Sequence, residues 1–314
     1  MKKLNEVLEG VKSIALGGHV RPDGDCIGSL TACYKYINKN YPEIIVDCFI
    51  EGIPTDLEFL LPEGFKEKKY SGERYDLFIA LDAADKERLD TAIEVFDKAS
   101  KTVCIDHHSS NDGYADVNVI EAKTGSASEV LFELLDFDKI DKSIAMSIYT
   151  GMVHDTGVFQ YSNTSSRTLN IAAELIKFGF DFSAIIEDSF YSKTFIQNKL
   201  LGYCLGKAQL ELENRCIISQ VSIDEYEKLG AKSSDFEGIV SQLRNTREPD
   251  IAVLLSENEP GIWKASMRSK GKVNLIPIAA ENGGGGHILA AGCTLFGNEQ
   301  EVYEKILKDI ENNL

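Results

Sequence analysis

The sequence predicts an α/β protein of two domains, an N-terminal parallel sheet wrapped by helices and a smaller C-terminal α+β domain. Three observations carry that expectation. Short and almost wholly apolar runs alternate with helical stretches over the first half of the chain, as in strands covered on both faces. Beyond about residue 205 the pattern changes, and one run, Trp263 to Ser269, alternates with period two. A length of 314 residues, 43% of them hydrophobic, suffices for two ordinary cores.

In order, strands are expected at Ser13 to Gly18, Ile44 to Ile50, Leu77 to Leu81 and Thr102 to Ile105. Helices are expected from about Ile27 to Asn38, Ser126 to Leu135, Ser143 to Val153 and Ser166 to Phe178, the last closed by Gly179 as a C-cap. The polar, glycine-poor stretch from about Asp181 to Leu205 has the character of a helical connector. Cys216 to Ser222 and Ile251 to Ser256 are the next expected strands. The expected division is a first domain over residues 1–185, a helical linker over 186–205 and a second domain over 206–314.

Composition narrows the function. Lys2 and Lys3 are followed at once by Glu6 and Glu9 with no apolar signal-peptide core, and no run is long enough to span a bilayer. A cytoplasmic protein without a membrane partner is expected. The seven cysteines are scattered and never form C-x-x-C, which suits small buried hydrophobes in a reducing compartment rather than disulfides or a zinc site. A net charge of −17 argues against tight binding to long nucleic acid, whose affinity comes mostly from neutralising many phosphates. Between Gly238 and Gly292, however, six basic residues outnumber five acidic ones. That window suits either a bound phosphate or ordinary solvated strand edges.

All five histidines lie beside a carboxylate or a glycine run. The first cluster, H-V-R-P-D-G-D from His19 to Asp25, follows the first expected strand, at the kind of sheet edge where α/β proteins bind ligands. Pro22 and Gly24 turn the chain so that His19, Asp23 and Asp25 can converge, although a polar surface turn has the same composition. It is not an EF-hand loop, because the glycine is misplaced and the bidentate Glu is missing. Asp82 ends the run Leu77 to Leu81, and D-H-H, Asp106 to His108, follows the next strand. An Asp that orients a ligating imidazole is a recurring metal-site device. Asp155 closes a helix in H-D-T-G, and its neighbour His154 faces another direction on that helix. Imidazoles and carboxylates without thiolates suit Mn²⁺, Fe²⁺ or Zn²⁺, with ligands enough for two ions. Two such ions would clamp an in-line phosphoryl displacement. The last element, G-G-G-G-H from Gly283 to His287, is neither a P-loop nor a dinucleotide fingerprint. Its backbone suits either a flexible turn or a phosphate cradle.

These motifs, in this order, resemble those of DHH phosphoesterases: H-V-R-P-D-G-D-C-I-G-S, Asp82 in L-D-A-A-D, D-H-H, and D-T-G-V-F. The late G-G-G-G-H-I-L-A-A-G resembles the signature of the DHH-associated C-terminal domain. The resemblance runs from about residue 10 to residue 295 and looks closest to NrnA-type members, which degrade very short RNAs and dephosphorylate 3′-phosphoadenosine 5′-phosphate. It implies two manganese ions, with Mg²⁺, Co²⁺ or Fe²⁺ as alternatives, and an active site in a cleft between the domains. By the same resemblance His19 and Asp23 would hold one ion and Asp25, His107 and Asp155 the other, with Asp82 bridging them. Asp106 would orient the histidine pair, and His108 would contact the scissile phosphate. Arg268, Ser269, the glycines Gly284, Gly285 and Gly286, and His287 would bind substrate, with Arg88 a further candidate to line the site. The implied substrates are short single-stranded oligonucleotides or nucleotide bisphosphates, not long duplexes, and a homodimer is compatible with the resemblance. Two other readings stay open: a phosphodiesterase for cyclic or linear dinucleotides, and a non-catalytic nucleotide or metal sensor. Inorganic pyrophosphatases share the four metal motifs but lack the G-G-G-G-H loop.

Overall fold

A computed structural model describes residues 3–314, so Met1 and Lys2 fall outside the described residues. The chain divides into two units, Met1–Ser192 and Lys193–Leu314.

In the first unit β1 (Ser13–Gly17), β2 (Ile45–Phe49), β3 (Leu77–Leu81), β4 (Thr102–Asp106) and β5 (Val117–Ile120) form a parallel sheet in the order β2-β1-β3-β4-β5. Helices α1 (Asn5–Leu8), α2 (Gly24–Asn40), α3 (Ile93–Lys98), α4 (Ala127–Leu134), α5 (Lys142–Asp155), α6 (Ser166–Ile176) and α7 (Phe182–Ile186) accompany it. Alternate strand residues feed two cores. Ile14, Leu16, Ile79 and Ile105 join one that includes Ile27, Val130 and Ile148, whereas Ala15, Phe78 and Cys104 join one with Val95 and Phe96. Every residue of β3 and β4 is buried, which accounts for the unbroken apolar sequence of β3 and for the apolar centre of β4, Val103 to Ile105. The strand order reverses direction between β1 and β3, so the ends of these two strands flank the crevice where open α/β sheets bind ligands.

Helix α2 starts three residues earlier than its apolar pattern indicates. The Asp23 carboxylate caps it, accepting from the amides of Asp25 and Cys26 at 3.1 Å each. Gly28 and Gly151 let α2 and α5 touch backbone to backbone: a Cβ on Gly28 would lie 2.7 Å from Ser147 O and 2.8 Å from Gly151 Cα.

The stretch expected as a linker contains a π-helical turn, Glu187–Tyr191, and α8 (Phe195–Lys207), whose Leu200 and Cys204 are buried in the second unit. There β6 (Gln209–Glu211), β7 (Cys216–Val221), β8 (Ile251–Glu259), β9 (Ile262–Ser269), β10 (Gly285–His287) and β11 (Ala290–Phe296) form a sheet in the order β10-β11-β9-β8-β7-β6. Only β7 and β8 pair in parallel. Four helices complete the unit: α9 (Ile223–Lys228), α10 (Ile239–Arg244), α11 (Leu275–Ala280) and α12 (Glu299–Glu311). Trp263, Ala265 and Met267 of β9 pack with Leu275, Val302 and Ile306, which explains the period-two pattern read from the sequence. No helix among the described residues is long and apolar enough to cross a membrane.

Candidate metal centre

Three strand ends and two helix ends deliver their polar residues to one edge of the first sheet. His19 lies two residues beyond β1, Asp82 directly follows β3, and Asp106 is the last residue of β4, with His107 and His108 after it. Asp155 is the last residue of α5, while Asp23 caps α2 and Asp25 sits in its first turn. His19 is buried, and its Nδ1 lies 3.0 Å from Val20 O, a partner that can only accept. Nδ1 therefore donates, and Nε2 faces Asp23 Oδ1 and Asp82 Oδ2, both at 3.5 Å. His107 Nε2 lies 3.1 Å from Asp155 Oδ2, 3.6 Å from Asp82 Oδ1 and 3.9 Å from Asp25 Oδ2. Asp25 is fully buried and held at the start of α4, where its carboxylate accepts from Ala127 N at 2.5 Å and Ser128 N at 2.9 Å. A Cβ on Gly151 would lie 2.7 Å from Asp25 Oδ1, so this glycine also keeps the carboxylate in place.

Asp82 stands between the two imidazole groups, its backbone in the left-handed region at φ 55°. Its Oδ1 is buried without a hydrogen-bond partner, and the nearest imidazole nitrogens, His107 Nε2 and His108 Nδ1, are each 3.6 Å away. An orphaned buried carboxylate oxygen ringed by nitrogen donors fits a cation. Three groups of potential ligand atoms lie within 4.8 Å of one another: Asp82, His107 and His108; Asp25, His107 and Asp155; and His19, Cys26 and Asp82.

The electrostatics match that geometry. Burial pushes Asp25 well above the usual carboxylate range, and the charges of Asp82 and Asp155 add to the effect. Asp155 is raised for the same first reason. For Asp82, burial raises the pKa, but the nearby His107 and His19 imidazoles outweigh it and hold the group low. Burial disfavours charge on the imidazoles, yet carboxylate neighbours raise His19 to about 10 and His107 to about 12. Without metal, two imidazolium protons thus occupy the place that a divalent cation would take.

Two features have no counterpart in the sequence pattern. Asn111 Nδ2 donates to Asp106 Oδ2 at 2.7 Å while His108 Nδ1 donates to Asp106 Oδ1 at 2.8 Å, so the asparagine fixes the carboxylate that fixes the histidine. Only its position five residues after Asp106 hints at it. Cys26 is buried, like all seven cysteines, but its thiol lies among His19 and Asp82. His154 belongs to none of the three ligand groups, but its ring packs on Gly24, where a Cβ would lie 2.0 Å from His154 Cγ; its Nε2 is 3.0 Å from Ser189 Oγ, and its ring meets Phe190 edge-on at 5.5 Å. Replacing Asn111 with alanine is expected to lower activity about 10–100-fold, typical of losing a group that orients a site residue, and to lower Tm as well, because its buried amide also donates to Ala83 O and accepts from Gly113 N. Steady-state kinetics beside a thermal melt checks this.

Residues 13–152 match the DHH family, N-terminal domain, and residues 213–314 match the DHHA1 domain. The bifunctional oligoribonuclease and PAP phosphatase NrnA of Bacillus subtilis is 31% identical over 307 residues, covering 95% of this chain and 94% of that protein. The chain belongs to the DHH family. A protein of the same name from Thermus thermophilus is 29% identical, covering all of the DHH chain and 94% of its own length. The crystal structure of an exopolyphosphatase-related protein from Bacteroides fragilis shares the fold, with a TM-score of 0.89 at 24% identity over 98% of the DHH chain and 94% of that one.

In the second unit of the DHH chain, His287, Ala290 and Arg268 form one cross-strand row and so share a face of the sheet. Gly285 lies two residues from His287 on that face. It has no positive φ, and a Cβ there would meet nothing within 4 Å, so the fold itself does not require glycine at this position. Gly284 and Gly286 are different. A Cβ on Gly284 would collide with the Gly292 carbonyl, and one on Gly286 would lie 2.5 Å from Ala290 O. Ser269 is not brought to Arg268: it is 1% exposed on the opposite face, and its hydroxyl accepts from Gly271 N at 3.1 Å and Val273 N at 3.4 Å. Alternation along β9 forces that separation, and Ser269 shapes the turn into α11. Arg88 is half-buried, its carbonyl accepting from Val20 N at 2.8 Å, which sets its backbone beside the His19 loop.

Proposed function

We propose that this DHH chain is a Mn²⁺-dependent hydrolase that cleaves short oligoribonucleotides to mononucleotides and removes the 3′-phosphate of 3′-phosphoadenosine 5′-phosphate. The observation that carries this reading is Asp82, one oxygen near His19 and the other unpartnered between His107 and His108. The names of the relatives supply the substrate class. In this reading His19 and Asp23 hold one ion, Asp25, His107 and Asp155 the second, and Asp82 is shared. Bound there, the ions would supply neutralising charge at a phosphoryl group and a water of lowered pKa.

The chain's own groups do the rest. Asp106, clamped by Asn111, keeps His108 Nδ1 occupied, so the ring's Nε2 is the nitrogen available to donate to a phosphoryl oxygen. The hydrogen bond and charge of Asp106 outweigh burial and raise the His108 pKa, which favours the charged donor form. In the second unit, Arg268 and His287 take the substrate's remote phosphate, and bare Gly285 lets it approach the backbone.

Metal loading tests the centre independently of turnover. Because His19 and His107 sit well above pH 7 in the metal-free protein, each ion must displace protons that are present at neutral pH. Affinity should therefore rise with pH, about tenfold per unit for each proton displaced, and activity should fall on acidification. Calorimetric titration with Mn²⁺ in buffers of different ionisation enthalpy is expected to show two ions and net proton release. A single ion, or binding without proton release, contradicts the assignment.

A further inference from the structure

Near its C-terminal end, α5 meets the start of α2 at two residues of one helix face. Gly151 makes room for the Asp25 carboxylate, and His154, three residues later, carries the turn that joins Asp23 to Asp25. A Cβ on Gly24 would lie 2.0 Å from His154 Cγ and 2.4 Å from its Nδ1, so the Gly24 backbone rests directly on the imidazole. The ring is also held from a second side. Its Nε2 lies 3.0 Å from the hydroxyl of Ser189, which donates in turn to Ile185 O at 2.6 Å. That hydroxyl has one proton and a carbonyl can only accept, so the Ser189 oxygen accepts from His154 Nε2. Ser189 is buried in the π-helical turn Glu187–Tyr191, whose Phe190 meets the ring edge-on. Such turns are rare and concentrate at functional sites.

The two carboxylates on either side of Gly24 are not equally secured. Asp25 is fully buried and held by the amides of Ala127 and Ser128 at the start of another helix. The Asp23 side chain is 57% exposed, and the amides that donate to it, those of Asp25 and Cys26, belong to its own turn. Where the turn sits therefore decides where the Asp23 carboxylate sits, and the turn rests on His154. We infer that His154 is a positioning residue for the metal centre: its imidazole, clamped by Ser189 and Phe190, fixes the Asp23–Gly24–Asp25 turn and so sets Asp23 against His19 at the first ion position. The ring does this without touching an ion. The same contact explains why residue 24 is glycine, since a side chain there would collide with the ring. Asp25 keeps its own amides, so the second ion should depend on His154 far less. The inference rests on the two-ion reading above and adds to it a support that reaches the first ion from the π-helical turn.

Calorimetric titration of the full chain with Mn²⁺ at one fixed pH tests this, with the metal-free Tm measured beside it. His154→Ala should weaken binding at one position about 10–100-fold, the usual range for a group that orients a metal ligand, and leave the other near its wild-type affinity. Ser189→Ala, which removes the clamp but keeps the ring, should weaken the same position by a smaller factor. It carries the test if His154→Ala does not fold. Asp23→Ala identifies the position: adding His154→Ala to it should weaken that ion no further, because both act through one carboxylate. Wild-type affinity for both ions in the His154 and Ser189 variants, whatever happens to Tm, marks the ring as packing alone and overturns the inference. Equal losses at both positions, or losses from His154→Ala and Asp23→Ala that add in full, overturn it too. A wild type that binds fewer than two ions overturns the two-ion reading and this role with it, a result visible before any variant is compared.

Discussion

Asp82→Ala is expected to abolish turnover even with saturating Mn²⁺. Asp82 and His107 each belong to two of the ligand groups, but Asp82 alone reaches both ends of the site, facing His19 through one oxygen and His107 and His108 through the other. Removing it leaves two raised-pKa imidazoles without their shared partner and takes the common ligand from both proposed ion positions. The loss in kcat should therefore exceed the roughly 10–100-fold typical of residues that merely support a metal ligand. Because the His107 and His19 imidazoles hold the Asp82 pKa low, its charge also stabilises the fold, so the variant is expected to melt below the wild-type Tm. The decisive reading is therefore kcat of the purified, folded variant, measured well below its own Tm, where turnover should still vanish. A near wild-type kcat in saturating Mn²⁺ contradicts the shared-ligand role.

Arg268→Ala should separate recognition from chemistry. Arg268 stands on a unit that holds none of the candidate metal ligands, in a row with His287 beside Gly285. If it binds the substrate's remote phosphate, truncation removes a charged contact worth on the order of 2–5 kcal/mol, a loss of about 30-fold or more in kcat/KM. A dinucleotide should suffer that loss. A small activated phosphodiester, which brings no remote phosphate, should scarcely notice it. The wild type should also prefer oligonucleotides of about two to five residues over a strand of about twenty, since an acidic chain gives long strands little further hold. Equal losses on all substrates in the variant, or equal rates on short and long strands in the wild type, contradict the recognition role.

Much of this is legible in the sequence for a physical reason. Strands covered on both faces must be apolar throughout, so the apolar runs locate β3 residue for residue and β1, β2 and β4 to within one residue at either end. The polar residues directly after those runs are then bound to lie at one sheet edge, so the sequence pattern alone makes His19, Asp82, His107 and His108 neighbours. β5 escapes that pattern because V-N-V-I is a half-exposed edge strand without an apolar run. β10 and β11 escape it because glycines and small residues carry no alternation, and only the pairing of Gly286 with Ala291 makes their glycines intelligible. Ser269 groups with Arg268 by adjacency in sequence, whereas adjacent strand residues face opposite ways. Asn111 and the amides of Ala127 and Ser128 act through tertiary contacts that no local pattern encodes.

The hydrolytic reading stands or falls on one comparison: release of mononucleotide from an RNA dinucleotide against release of phosphate from pyrophosphate, each with Mn²⁺ and after chelation. Mn²⁺-dependent cleavage of the dinucleotide, lost on chelation and far faster than any pyrophosphate hydrolysis, is the predicted result. Pyrophosphate turnover with an intact dinucleotide, or dinucleotide cleavage indifferent to chelation, would contradict it.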